Sequence, residues 1–293
     1  MYENAISVHM KSIENVPLDH IMHSHFLQLI ADASNKPRTC EIIYITFRQI
    51  IKMAVQDRIL SPEDYALICE NVSLPKKKRR EKRPLTELEK DAIKRCDFTR
   101  RERCFVAILS SCGLRREEIL ALTPKDFDFV RKEISITKAV IFDGNAPELK
   151  DSPKTERGFR RVPFPQMEEY ADYVRTSGRY LFGNDAGELI TLSGYNCMFQ
   201  RIVLKINEAA GGKNAYNPKK KKTEIVFNAV PGLTAHVFRH NYCTELCYQI
   251  PRISIKKIAA LMGDTEKVVM DVYNHIVEER EDATEAIENL RIL

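Results

Sequence analysis

The segment Thr234-Ala-His-Val-Phe-Arg-His240 reads as the start of a helix with Thr234 as N-cap, and it sets His236 and Arg239 on one face. A helix N-terminus that presents an imidazole and a guanidinium together suits an oxyanion, because the dipole, the free N–H groups and the cation all favour negative charge. Taken alone, a surface helix with ordinary polar residues fits the segment about as well. Gly113-Leu-Arg115 places a second arginine just past a helix stop, and Lys154 stands ahead of a turn at Glu156-Arg-Gly158. Tyr273 lies in Met262-Gly-Asp-Thr-Glu-Lys-Val-Val-Met-Asp-Val-Tyr-Asn-His275. Each signal is weak by itself; their order and spacing carry the argument.

Elements must hold these residues. Up to about Ser73 apolar residues recur at helical spacing (Phe26, Leu27, Leu29, Ile30; then Ile43, Phe47, Ile50, Ile51, Val55) and glycine is absent, which predicts a helical bundle over 1–74. Residues 75–84, from Pro75 to Pro84, have no apolar face, so they are expected to form an extended linker spanning roughly 33 Å. A second domain, 85–293, opens at Thr86 and Glu89, which have capping-box spacing, and one helix is expected from there through Phe105, Val106, Ile108 and Leu109 to Gly113. A short helix follows from Leu114 to Leu120. Strands are expected from Phe127 to Phe142 and around Phe159 to Phe164, then helices interrupted by a loop from Gly211 to Gly232. The fold class is mainly α with a small β-sheet: a helical N-terminal domain and an α+β domain.

With 293 residues, 44% of them hydrophobic, the chain can bury two cores. The net charge of +5 is mild, but it is unevenly placed: Lys76, Lys77, Lys78, Arg79, Arg80, Lys82 and Arg83 crowd the linker, Lys219 to Lys222 form a second run, and Val277 to Leu293 is acidic. The linker cations are expected to meet a polyanion; a solvated spacer and a weak nuclear-localisation match are the rival readings. Eight cysteines without a CxxC pair read as reduced thiols, with Cys243 and Cys247 one helical turn apart rather than half a zinc site. No apolar run approaches a membrane span and the N-terminus has no signal-peptide pattern, so a soluble cytoplasmic protein is expected.

Four segments together resemble tyrosine recombinases of the integrase type. Gly113-Leu-Arg-Arg-Glu-Glu-Ile-Leu120 looks like their first-arginine motif, Lys154-Thr-Glu-Arg-Gly-Phe-Arg-Arg-Val-Pro163 resembles their β-hairpin lysine motif, and His236-Val-Phe-Arg239 is similar to their His-x-x-Arg box. Leu261-Met-Gly263 followed by Tyr273-Asn-His275 resembles their nucleophile region. The wording is closest to phage and conjugative-transposon integrases. The helical domain and basic linker look like the family's core-binding domain and interdomain connection, and no separate arm-type DNA-binding domain is legible ahead of them.

The resemblance implies DNA cleavage and rejoining through a 3′-phosphotyrosyl bond at Tyr273, without metal or other cofactor. Arg115 and Arg239 would hold the non-bridging phosphate oxygens, His236 would add a hydrogen bond, and Lys154 would protonate the leaving 5′ oxygen. Glu118 is expected to buttress Arg115, although an exposed helix charge is the near-equal alternative; His240 and His275 are expected to be structural. The chain departs from the family at Asp264, where a histidine or tryptophan is usual. A carboxylate there repels phosphate unless it pairs with an arginine or turns away; a site that tolerates the change at reduced rate is one reading, and a structural role such as capping the helix near Thr265, with cleavage retained, is the one expected. The implied partners are double-stranded DNA, further copies of the chain (dimer to tetramer, through a Holliday junction) and an accessory excision factor. The tail from Val277 to Leu293 is expected to dock on a neighbouring protomer or on its own domain. The rival functions are a DNA-binding regulator on a weakened recombinase fold and a type IB topoisomerase.

Overall fold

The computed structural model of the chain describes residues 2–76, 83–150 and 158–280. It divides into two compact units, Met1–Glu81 and Lys82–Leu293.

The first unit is helical: α1 (Tyr2–Asn4), α2 (His23–Asp32), α3 (Pro37–Gln56) and α4 (Pro62–Cys69). Proline opens α3 and α4, where its missing N–H costs nothing. Ser61 and Asp64 close a reciprocal cap on α4, each accepting the other's backbone N–H. The apolar spacing turns Phe26, Leu29, Ile43, Phe47 and Ile51 into one core, with Phe26 and Phe47 stacked at 4.2 Å.

The second unit begins with α5 (Glu87–Arg95), capped by Thr86 and Glu89 as the spacing predicts. The single helix expected from there to Gly113 is two. The chain is extended at Cys96, buries Phe98, and restarts at Thr99, whose hydroxyl and Glu102 form a second capping box at the head of α6 (Arg100–Cys112). A Thr-x-x-Glu pair inside an apolar-periodic stretch therefore marks a break here. After Gly113 comes α7 (Arg116–Leu120).

Strands β1 (Phe127–Asp128), β2 (Glu133–Ile136) and β5 (Arg160–Pro163) form an antiparallel sheet in the order β1-β2-β5, with Ile134 opposite Val162 and Ile136 opposite Arg160. Between them β3 (Ala139–Asp143) and β4 (Ala146–Lys150) make a separate hairpin turning at Gly144; β4 lies beyond the strands expected from the sequence. Next come α8 (Ala171–Thr176) and α9 (Leu192–Ala209).

The loop expected from Gly211 to Gly232 contains a third hairpin, β6 (Lys213–Asn217) with β7 (Lys222–Phe227), and the second basic run forms its turn and the start of β7. Its alternation is hard to see because Tyr216, Val226 and Phe227 point to solvent. A fully buried amide anchors the hairpin to α9: Asn207 donates to Asn214 and to the Phe227 carbonyl and accepts from the Ala229 N–H.

The last elements are α10 (Ala235–Cys247), α11 (Ile255–Met262) and α12 (Glu266–Arg280). Helix α10 is a wall shared by two cores. Phe238 belongs to the large cluster around Phe105, Ile108, Leu109 and Phe182, whereas Cys243 and Cys247 pack with Ile258, Met262, Val269 and Ile276 of α11 and α12. All eight cysteines are unbonded, Cys197 alone exposed. Among the described residues no helix is long and apolar enough to cross a membrane.

Candidate active site

Two helices end in the same way, and the site lies between their ends. Helices α6 and α11 both terminate at a left-handed glycine, Gly113 (φ 58°) and Gly263 (φ 61°). At Gly113 the need for glycine is double, since a Cβ would also overlap the Tyr242 ring on α10. Helix C-termini leave carbonyls without intrahelical partners and carry the negative end of the dipole, so guanidinium groups are drawn to them.

Arg239 enters this space from α10 with 3% of its surface exposed. It donates from Nη1 to the Gly113 carbonyl (2.6 Å) and from Nη2 to the Met262 carbonyl and Asp264 Oδ2, both at 2.7 Å. Burial pulls its guanidinium below the ordinary arginine value, the charge of Arg115 adds to that, and Asp264 and Glu118 work in the opposite direction.

Arg115 sits at the N-cap of α7 and donates from Nη1 to Glu118 Oε1 (3.0 Å) and from Nη2 to the Gly263 carbonyl (2.8 Å). Its Nη2 also lies 3.1 Å from Asp264 Oδ2, so both arginines converge on one carboxylate oxygen. That pairing answers the repulsion expected between Asp264 and a phosphate. The carboxylate serves the arginines, where capping of the following helix is the role read from sequence.

Glu118 holds Arg115 from beneath, also accepting its backbone N–H at 2.9 Å. A residue that the sequence reading does not single out completes this layer. Arg160 on β5 donates to both Glu118 oxygens (3.0 and 2.7 Å) and from Nε to the Leu261 carbonyl (2.7 Å), tying the strand to the end of α11. Burial pushes the Glu118 carboxyl up, but Arg160 through its hydrogen bonds and charge, with help from Arg115, brings it net below the ordinary glutamate value. The available signal is the pair Arg160-Arg161 on a strand: alternation sends one inward, and a buried arginine demands a carboxylate.

His236 is exposed in the first turn of α10, on the face of Arg239. Thr234 occupies the N-cap position, but its side chain makes no capping hydrogen bond. His240 is half-buried with Nδ1 3.4 Å from Thr244 Oγ1, and His275 is exposed on α12. Tyr273 is half-buried on α12, its ring packed against the cluster that includes Met262, whose carbonyl holds Arg239.

Lys154 lies outside the described residues, as do Lys77, Lys78, Arg79, Arg80, Lys82 and the tail beyond Arg280. Lys76 is exposed. Arg83, expected to contact phosphate, is paired within its own unit: both Nη atoms donate to the buried Glu89 at 2.6 Å, and Nη2 also donates to the Pro231 carbonyl, with the side chain 32% exposed. Among the described residues no His, Cys, Asp and Glu group is arranged to hold a metal ion. The arrangement as built is a pair of fixed guanidiniums meeting at one anionic oxygen, which is what recognition of a phosphoryl group requires.

Residues 85–280 match the phage integrase family. The chain is 26% identical over 185 residues to the transposase from transposon Tn916 of Enterococcus faecalis, covering 58% of this chain and 41% of that protein. It is 25% identical over 201 residues to a tyrosine recombinase XerC-like protein of Caldanaerobacter subterraneus subsp. tengcongensis, covering 62% and 46%. The chain thus spans less than half the length of these curated relatives. Its fold is similar to that of the Tn1549 transposon integrase in complex with a circular intermediate DNA (TM-score 0.70, 18% identity, 95% of this chain and 91% of that one). It is also similar to a lambda integrase in a tetramer bound to a Holliday junction (TM-score 0.58, 14% identity, 90% and 67%). At these identities the likeness is one of fold.

Proposed function

We propose that this chain, which belongs to the phage integrase family, is a site-specific recombinase of a mobile element that cuts and rejoins DNA through Tyr273. The observation that carries this reading is the convergence of Arg115 and Arg239 on one oxygen, beside the cluster in which Tyr273 packs. The tyrosine oxygen attacks a phosphodiester, the bond to the 5′ oxygen breaks, and a 3′-phosphotyrosyl ester forms. Charge building on the non-bridging oxygens meets guanidiniums already held in place, so little reorganisation is needed in the transition state. His236 adds a hydrogen bond, and Lys154 gives the proton to the departing 5′ oxygen. The phosphotyrosyl ester keeps the energy of the broken bond, so a 5′ hydroxyl can reverse the step without nucleotide hydrolysis.

Residues 1–74 act in this reading as a second DNA-binding domain, and the cations from Lys76 to Lys82 contact DNA phosphates. The assembly is a dimer to tetramer on double-stranded DNA in the cytoplasm, and an accessory excision factor directs it. The DNA-bound relatives support the first of these.

The test incubates the protein and a Tyr273→Phe variant with nicked suicide duplexes carrying candidate sites. A covalent adduct that survives denaturation and needs Tyr273 is expected. Tight DNA binding with no adduct on any site would turn the reading to a non-catalytic regulator, and relaxation of supercoils by a lone monomer without site preference would turn it to a topoisomerase.

A further inference from the structure

We infer that Asp264 is a resident counter-anion: its carboxylate holds the place between Arg115 and Arg239 that a phosphodiester takes, and the two exchange when DNA binds. The inference rests on the reading of the arginine pair as a phosphate site.

Three observations support it. First, one oxygen, Asp264 Oδ2, lies 2.7 Å from Arg239 Nη2 and 3.1 Å from Arg115 Nη2. A non-bridging phosphate oxygen bound by two guanidiniums would occupy the same position. Second, among the described residues the other acceptors on this pair are held in place. They are the backbone carbonyls of Gly113, Met262 and Gly263, and Glu118, whose side chain is 4% exposed and clamped by Arg160. Of these acceptors Asp264 alone is both a side chain and open to solvent, at 26% exposure, and it follows the left-handed Gly263.

Third, the charges balance poorly without it. Arg115, Arg160 and Arg239 against Glu118 and Asp264 give three positive and two negative charges, a net of one; removing Asp264 leaves two. An incoming phosphodiester carries a single negative charge, so it replaces the carboxylate one for one. While both are present they repel across a shared donor pair, so phosphate enters only as Asp264 rotates away. The carboxylate therefore makes the DNA-free arginine pair reluctant to take an adventitious anion, and a phosphate delivered at high local concentration on a docked duplex displaces it.

The test titrates inorganic phosphate into the whole chain, comparing the natural protein with Asp264→Asn and Asp264→Glu. The Asn variant is expected to bind phosphate about fivefold tighter, the scale of one partly exposed charge pair, while the Glu variant stays within about twofold of the natural protein on the same scale. Without phosphate the Asn variant should melt lower, and added phosphate should raise its melting temperature more than that of the natural protein. Equal or weaker phosphate binding by the Asn variant overturns the inference and makes Asp264 a fixed brace for the arginines.

The natural protein supplies a second readout that needs no folded variant. The carboxyl carbon of labelled Asp264 should shift when phosphate saturates the site, and an unmoved signal also overturns the inference. Neither readout involves strand cleavage, so absence of the Tyr273 adduct and failure of this exchange are separate results.

Discussion

Arg160 grips Glu118 with both Nη atoms, and neither side chain is more than 5% exposed. Removing one partner of such a pair strands the other charge, so Glu118→Gln is expected to lower stability by about 3 kcal/mol, read from the urea midpoint of the second unit. The double variant Glu118→Leu with Arg160→Met should recover most of that loss, because no buried charge is then left alone. If the single and double variants unfold alike, the stranded charge is not the source of the loss and the pair is not what holds β5 to α7.

The stability of the second unit should depend on acid pH through three buried carboxylates. Burial raises Glu89, Glu102 and Glu118, but hydrogen bonds and charge from Arg83, Lys205 and Arg160 respectively bring each net below its ordinary value. A depressed folded pKa stabilises above the unfolded value, about 4.3 for glutamate, and the contribution is lost as pH falls through the folded value. The melting temperature should therefore hold from pH 7 to about 5 on this account and fall steeply below about 4. A profile flat to pH 3 contradicts it.

Neutralising Lys76 to Arg80 should weaken DNA binding on every sequence alike and flatten its salt dependence, by up to about 0.9 in slope for each phosphate left without its cation. Arg83→Met should behave differently. It leaves the Glu89 carboxylate buried and unpaired, so it should cost about 3 kcal/mol of stability and leave the salt slope unchanged. Filter binding across a salt series, beside thermal melts, separates the two.

Gly113→Ala introduces a Cβ at φ 58° and against the Tyr242 ring. A loss of about 1–3 kcal/mol is expected from the strain alone, with a larger fall in adduct formation because the Gly113 carbonyl that positions Arg239 moves. Adding Tyr242→Ala should relieve the overlap and leave the backbone strain, so melting recovers only in part. Full recovery would show that the left-handed conformation carries no cost.

Much of this arrangement is legible in the sequence, and the remainder is hidden for identifiable reasons. The spacing of Phe26, Ile43 and Phe47 gives the first core, and the first capping box gives α5, because both are local patterns. The break before Thr99 is masked because Phe105, Ile108 and Leu109 continue the apolar rhythm beyond it. The β6–β7 hairpin is masked because its register is held by backbone pairing and by Asn207, with large apolar residues left outside. In the site, Arg115, Glu118 and Arg239 are legible only through the order of the four motifs and the family resemblance those motifs carry, each signal being weak alone. Arg160 and the pairing of Asp264 depend on contacts between segments far apart in the chain, which no spacing rule reports.

The backbone carbonyls around the arginines bear on how the site tolerates mutation. Gly113, Leu261, Met262 and Gly263 contribute main-chain oxygen to Arg115, Arg160 and Arg239. Every amino acid has that oxygen, so replacing Leu261 or Met262 by another residue of similar volume deletes no acceptor. Vulnerability shifts to whatever sets the path of the chain: the two glycines at positive φ and the packing of α10. Side chains around the cations can thus be exchanged while the cations stay aimed, and the glycines that set the path of the chain resist replacement although they touch no reacting atom.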